Sequence, residues 1–297
     1  MEVRQLRQFL AAVEFGNLGR AAESLRITTP AISKSLANLE TELGVRLVDR
    51  GPRGVTPTVF GKSLARHARA MIAEVRHARD DIALLQGAGQ GRIAVGGTAS
   101  AGSTLLVRAI AALAKERPGV RIEVTGGRHE TLVESLRNGV LDVVVTGFGA
   151  GSPDPDLDER VLTEDAYAVV VRGDHTLARR RKIHLGDLMD YPWVVASNIA
   201  EVVPGWARTF TDQGLTPPQP TIASDSYLFI KSILDEGDFL AVLPRDVIST
   251  EDAANAFSIL KIDGVSWARR VRAVTRARGT RPPAVGLLLE ALTTLAA

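Results

Sequence analysis

Residues 18–43, LGRAAESLRITTPAISKSLANLETEL, read as two helices joined by a tight turn. The first spans about 18–25. The second begins at Thr28 or Thr29 and continues to Leu43. The Thr28 hydroxyl is placed to accept from the first free backbone N–H groups, and Pro30 stands where a missing N–H costs nothing. Ile32, Leu36, Leu39 and Leu43 recur at steps of four, three and four, which gives one apolar face. The opposite face carries Thr29, Ser33, Lys34 and Asn38. These side chains are small or bear donors, and suit base edges and phosphates in a major groove. An αα-hairpin that binds no DNA has the same two faces, so the flanking sequence has to decide.

Upstream, residues 3–15 form a helix that Gly16-Asn17 ends. Downstream, Gly44 closes the second hairpin helix. A short strand over 46–49, a turn over 51–54 and a second strand at 55–56 follow. Three helices and a two-stranded hairpin make a winged helix-turn-helix over 1–58. Arg50 and Arg53 flank the wing tip, within reach of phosphates or a minor groove; a solvated turn is the other reading of these arginines. Thr58 then caps a long helix, a linker over 59–87. Its apolar positions are Leu64, Ala68, Met71, Val75, Ala78, Ile82 and Leu85, alternating in steps of four and three. That is a coiled-coil seam and predicts a partner helix, hence dimerisation. The alternative is a helix packed on its own domain.

Residues 87–91, GAGQG, form a joint. They follow a helix and precede a strand, the reverse of the order a dinucleotide loop needs. Gly61-Lys62-Ser63 lacks the glycine that a phosphate loop requires at position 56, where Thr56 stands. From Arg92 onward strands and helices alternate. Strands are expected at 93–96, 121–125 and 141–145, with helices at 103–116 and 130–137. A second series has strands at 168–171, 193–196, 221–223 and 240–243, with helices at 206–213 and 227–235. A strand at 271–275 and a helix at 283–295 close the chain. This pattern predicts two α/β units on one chain with a cleft between them.

The chain of 297 residues contains no cysteine, which excludes disulfides, thiolate nucleophiles and Cys-based metal sites. No apolar run reaches the length of a membrane span, and the charged N-terminus is not a signal peptide, so a cytoplasmic protein is expected. Residues 1–86 hold thirteen Lys/Arg against nine Asp/Glu within a net charge of +2. A basic head on a slightly acidic body suits a polyanion partner. The five histidines, His67, His77, His129, His175 and His184, show no metal-ligand spacing. His67 and His77 are read as solvated or interfacial, and the run 179–182, RRRK, as a solvated loop. No catalytic constellation is present. Neither an enzyme, a cofactor nor a metal is expected.

The segments LRQFLAAVEFGNLGRAAESL, TTPAISKSLANLETELGVRLVDR and GPRGVTPTVFG resemble the LysR-type transcriptional regulators. So do RPGVRIEV, LRNGVLDVVV and AVLP further on, and the resemblance covers the whole chain. It implies a homotetrameric regulator binding an interrupted palindrome near a promoter, with RNA polymerase as a further partner if it activates. It also implies an effector domain over 92–297 like the periplasmic binding proteins. Subdomain I would be about 92–163 plus 267–297 and subdomain II about 166–266, joined by strands near 161–165 and 265–269. Where the family has Ser-Gln-Pro, this chain has Thr28-Thr29-Pro30. A threonine offers a hydroxyl and a methyl instead of an amide, which favours a thymine methyl at that base.

In such a fold Thr98, Ala99 and Ser100 precede a helix start, where free N–H groups and hydroxyls make a carboxylate site. A simple helix cap is the alternative. Arg128 and His129 would add cationic charge if they face the cleft, and Phe148 an apolar wall. Ser197, Asn198 and Ser226 would face them from subdomain II. The expected effector is a small anion, most simply a carboxylate. A competing reading remains: a solute-binding or enzymatic protein of periplasmic-binding fold whose N-terminal helices are an assembly module.

Overall fold

A computed structural model describes residues 1–297 except 52–53, 86–90, 101–103, 149–153, 250–255, 278–280 and 297, and except the side chains of 80–81 and 83–85. The N-terminal domain begins with α1 (Val3–Phe15), α2 (Leu18–Ser24) and α3 (Thr29–Leu43). Gly16, at φ +58°, ends α1 in the left-handed region. The Asn17 side chain then accepts from the N–H groups of Gly19 and Arg20, starting α2. Ile32, Leu36 and Leu39 of α3 are buried with Phe9, Ala12 and Ala21. Leu43, read as the fourth member of that face, is instead 40% exposed at the helix end.

Two short antiparallel strands form the wing, β1 (Val48–Gly51) and β2 (Gly54–Pro57). The first starts later than the sequence suggests because Glu40 of α3 accepts from the Leu47 and Val48 N–H groups at 2.7 and 3.2 Å. The long helix α4 (Val59–Leu85) leaves the wing at close quarters. An ideal Cβ on Gly61 would lie 2.0 Å from the Leu47 carbonyl oxygen, so this glycine serves packing. Thr58 donates to the Arg46 carbonyl at 2.7 Å and accepts from the Gly61 N–H at 3.1 Å. Gly61→Ala should therefore destabilise the N-terminal domain by about 1–3 kcal/mol, because a backbone oxygen cannot turn away. A wild-type denaturation midpoint would sink this account of Gly61.

The C-terminal part is built on a nine-stranded sheet. In chain order its elements are β3 (Arg92–Gly97), α5 (Leu105–Glu116), β4 (Arg121–Gly126), α6 (His129–Arg137), β5 (Val143–Thr146) and β6 (Leu157–Arg172). Then follow β7 (Trp193–Val195), α7 (Ile199–Val202), α8 (Trp206–Thr211), β8 (Ile222–Ala223) and α9 (Tyr227–Asp235). The last are β9 (Leu240–Pro244), β10 (Phe257–Ile259), β11 (Trp267–Arg276) and α10 (Pro283–Ala296). The strand order is β4-β3-β5-β11-β6-β9-β7-β8, with β10 also on β6. One half of the sheet pairs β3 in parallel with β4 and β5; the other pairs β7 in parallel with β8 and β9.

Between the halves runs an antiparallel ribbon of β6 and β11, paired from Tyr167 opposite Trp267 to Leu157 opposite Arg276. Its register slips once: Val271 faces Thr163 and Arg272 faces Val161, so Leu162 is a bulge residue. Thus β6 is one strand of 16 residues where the sequence suggested separate segments at 161–165 and 168–171. Strand β10 was not expected. Each half keeps its own core, one around Ile93, Val145, Leu106 and Leu288, the other around Trp193, Trp206, Phe210 and Trp267.

Helix α4 docks onto the first half. Asp142, just before β5, has a side chain only 2% exposed. It faces His77 Nε2 at 2.9 Å and accepts from Arg76 at 3.1 Å and from the Ala94 N–H at 2.9 Å. Burial pushes the Asp142 carboxyl up, but the hydrogen bonds from His77 and Ala94 and the Arg76 charge outweigh it and hold the carboxyl below its ordinary range. Gly139, at φ +70°, lets the chain pass so near α4 that a Cβ there would stand 2.6 Å from that of Ala73. His77, read from sequence as solvated or interfacial, is in fact buried in this intrachain contact, while His67 is exposed.

Candidate functional site

The start of α3 presents an open face. Thr28, Thr29, Pro30 and Lys34 are exposed and Ser33 is half-buried. Thr28 caps the helix, accepting from the Ala31 N–H at 3.4 Å, which leaves four successive residues at the surface. Arg50, on β1, donates to Ser33 Oγ at 2.8 Å. The structure thus joins the wing and α3 into one polar surface through these two side chains. Arg53 lies outside the described residues.

The seam read along α4 divides. Ala68 is fully buried within the chain and Leu64 packs on the N-terminal core. This corrects the reading of an uninterrupted seam: its first two positions are covered within the single chain. Beyond them Met71 is 42% and Ile82 55% exposed, Ala78 is exposed and Val75 half-buried. The Leu85 side chain lies outside the described residues.

A cleft of about 440 Å³ opens where the carboxyl ends of the parallel strands meet. Thr98, Ala99 and Ser100 come from the end of β3, Gly126, Gly127 and Arg128 from the end of β4, and Phe148 from the end of β5. Ala196, Asn198, Val202, Asp225 and Tyr227 line it from the other half. Of the residues singled out by sequence, Thr98, Ser100, Arg128, His129, Phe148 and Asn198 are therefore brought together. Ser197 and Ser226 are not. The Ser197 N–H donates to Asp225, and Ser226 Oγ is taken up capping α9 through the Phe229 N–H.

The electrostatics differ from the expectation of a cationic wall. His129 sits against Phe148, ring centroids 5.6 Å apart, with Nδ1 3.1 Å from Thr146 Oγ1. Burial pushes its pKa down, so it is a neutral imidazole at neutral pH. Arg128 carries the cationic charge, 3.7 Å from Glu130. Glu130 and Tyr227, missed by sequence reasoning, also line the cleft, as does Asp225, from the run 224–226 that the sequence placed behind the wall of subdomain II. Their signal was their place just after β4 and β8, the argument that selected Thr98 after β3. Thr98 and Ser100 are buried, their hydroxyls 3.5 Å apart. Among the described residues no group of three or more His, Asp or Glu is placed to hold a metal ion. No helix among them is long and apolar enough to cross a membrane.

An exposed helix-turn-helix on a long helix, joined to a cleft-bearing α/β unit, is the architecture of a ligand-binding regulator. Residues 86–297 match the LysR substrate binding domain, and residues 3–62 the bacterial regulatory helix-turn-helix of the lysR family. The chain is similar to the SDS degradation transcriptional activation protein of a Pseudomonas species, 32% identical over 97% of this chain and 96% of that protein. Among solved structures it resembles a full-length OxyR variant from Pseudomonas aeruginosa, with TM-score 0.72 and 22% identity over 99% of this chain and 98% of that one. It also resembles full-length CbnR complexed with its target DNA, with TM-score 0.57 and 20% identity over the whole of both chains. The chain belongs to the LysR-type transcriptional regulators. It is a DNA-binding regulator with an effector-binding domain, and its relatives are regulators, not enzymes. The reading of an enzyme with an N-terminal assembly module falls with that match.

Proposed function

We propose that the protein binds DNA through the start of α3 and the wing, and that a small monoanionic carboxylate in the cleft switches it. The carrying observation is that residues from both halves of the sheet converge on one cleft while Thr29, Pro30 and Lys34 stay exposed on the same chain. Buried hydroxyls of Thr98 and Ser100 supply donors for a carboxylate. Ala99, Phe148, Ala196 and Val202 suit an apolar body. Glu130 and Asp225 oppose a second negative charge, which restricts the effector to a single acidic group. Closure of one half on the other would run through the β6–β11 ribbon, and an effector acts only in so far as it prefers one arrangement.

The chain divides on this reading into 1–58, 59–87 and 92–297. It pairs through Met71, Val75, Ala78 and Ile82 of α4, with two pairs making a tetramer. A regulator that activates would also meet RNA polymerase.

Titrating binding to DNA from upstream of its own gene against salt tests the first half. Lys34→Ala should weaken binding across sequences and reduce the salt slope by about one. An unchanged slope removes the α3 face from the DNA interface. A thermal-shift screen of small carboxylates against their amides tests the second half. Amides stabilising as well as acids would refute an anionic effector.

A further inference from the structure

Helix α4 carries a second stripe besides its apolar seam. Lys62, Arg66, Arg69, Ala73 and Arg76 recur at steps of four, three, four and three. Each stands two residues before a seam position, which is roughly 200° around the helix, so the stripe lies on the face turned away from the seam. That face meets the effector domain. At its far end Arg76 donates to Asp142 at 3.1 Å. One turn earlier Gly139 passes so close to Ala73 and the Arg69 carbonyl that a side chain there would meet both. Charge is matched at this end of the junction, and the two backbones are held at a fixed distance.

The near end is not matched. There another cavity, of about 470 Å³, opens between the start of α4 and the end of α6, with Pro57 of β2 at its edge. Lys62, Arg66, Arg69 and Arg137 line it against one carboxylate, Glu134. Arg137 is already bonded to Asp154. Among the described residues Lys62, Arg66 and Arg69 form no ion pair. Like charges three and four apart on a helix repel, so this grouping costs stability while the cavity is empty of anions. Three unpaired cations against one carboxylate leave two positive charges to neutralise, in a space of the size that small ligands occupy. Two of the three are guanidiniums, whose planar forks fit phosphate oxygens. Pro57 stands at the end of β2 away from the wing tip, and α6 belongs to the effector domain, so this gap is not part of the exposed face of α3.

We infer that this junction is a second small-molecule site, separate from the cleft, and that it takes a phosphate monoester. Arg66 and Arg69 hold the dianionic head, and Lys62 adds the third cation. A dianion seated there bridges α4 and α6, and so favours the arrangement in which the N-terminal and effector domains are docked. The site stands independently of what occupies the cleft. A pairing of α4 through its seam leaves it open, because the seam lies on the opposite face.

The test is calorimetry on the full-length protein at constant ionic strength. Glucose 6-phosphate is the probe, with glucose 6-sulfate as the monoanion of the same shape and glucose as the neutral control. Glucose 6-phosphate should bind saturably, the sulfate more weakly and glucose not at all. Arg66 is exposed and Arg69 half-buried, so replacing either leaves the fold intact. Arg66→Gln and Arg69→Gln should each weaken glucose 6-phosphate by about tenfold or more, the loss of one charge-assisted hydrogen bond. Glu134→Gln removes the opposing carboxylate and should tighten it by about two- to fivefold, a gain that a purely structural role would not produce. Unchanged affinity in both arginine variants overturns the inference, as does equal binding of phosphate and sulfate, or no saturable binding of glucose 6-phosphate by the wild type. If Arg66→Gln instead weakens DNA binding without the probe and lowers its salt slope by about one, the cations belong to the DNA interface and the inference falls.

Discussion

Asp142→Ala is expected to lower stability by about 3–5 kcal/mol, the usual loss when one partner of a buried ionic cluster is removed. The carboxylate is the shared acceptor for His77, Arg76 and the Ala94 N–H, and all three would be left without it. His77 and Arg76 lie on α4 and Ala94 on β3, so the loss should appear where the long helix meets the α/β unit. Hydrogen exchange should report early opening of α4 around residues 73–77, with the far half of the sheet unaffected. Asp142→Asn retains an acceptor and should lose less. The sign with pH follows from the depressed carboxyl. Its contribution is complete above about pH 4, where a free aspartate ionises, and is lost as pH falls through the lower folded value. A loss of under about 1 kcal/mol in Asp142→Ala would show the cluster to be incidental.

Ile82→Asp is expected to dissociate the assembly proposed for α4. Ile82 is 55% exposed in the single chain, so the substitution leaves the fold of each chain intact. In a paired seam it would bring two unpartnered carboxylates into apolar surroundings at a cost of several kcal/mol. Val75 is a poorer position for this test because it is already half-buried within its own chain. Sedimentation should show the variant moving to a smaller species at concentrations where the wild type does not. Wild-type sedimentation of Ile82→Asp would remove α4 from the interface.

The N-terminal domain was legible because its signals are local. Helix periodicity, the Thr28 cap and the glycines at 16 and 44 each act within a few residues, and α1 and α3 run over the expected ranges. The ribbon was harder to read. The first half of β6, LDERVLTED, is mostly charged and lacks the apolar alternation that marks a strand; its partner is the arginine-bearing stretch of β11 from Arg269 to Arg276. Partners distant in sequence were invisible. Nothing near Asp142 announces His77, 65 residues away, or shows that the α4 seam would be partly covered at home. In the cleft, the argument from strand ends found Thr98 and Ser100 but was not applied to Glu130 and Asp225. The inferred cationic wall failed for that reason, and because burial neutralises His129.

The extra residue at Leu162 sets how this gene tolerates change in length. Val161 and Thr163 already sit opposite the neighbouring residues Arg272 and Val271, so losing Leu162 closes the bulge and leaves both arms of β6 with their partners and faces. Past the bulge no slack remains, and removing one residue between 165 and 170 would turn the side chains beyond it to the other face of the sheet. An in-frame loss of codon 162 should therefore be tolerated, whereas a single codon deletion between 165 and 170 should disrupt the α/β unit. A deletion scan along β6 would separate the two classes sharply.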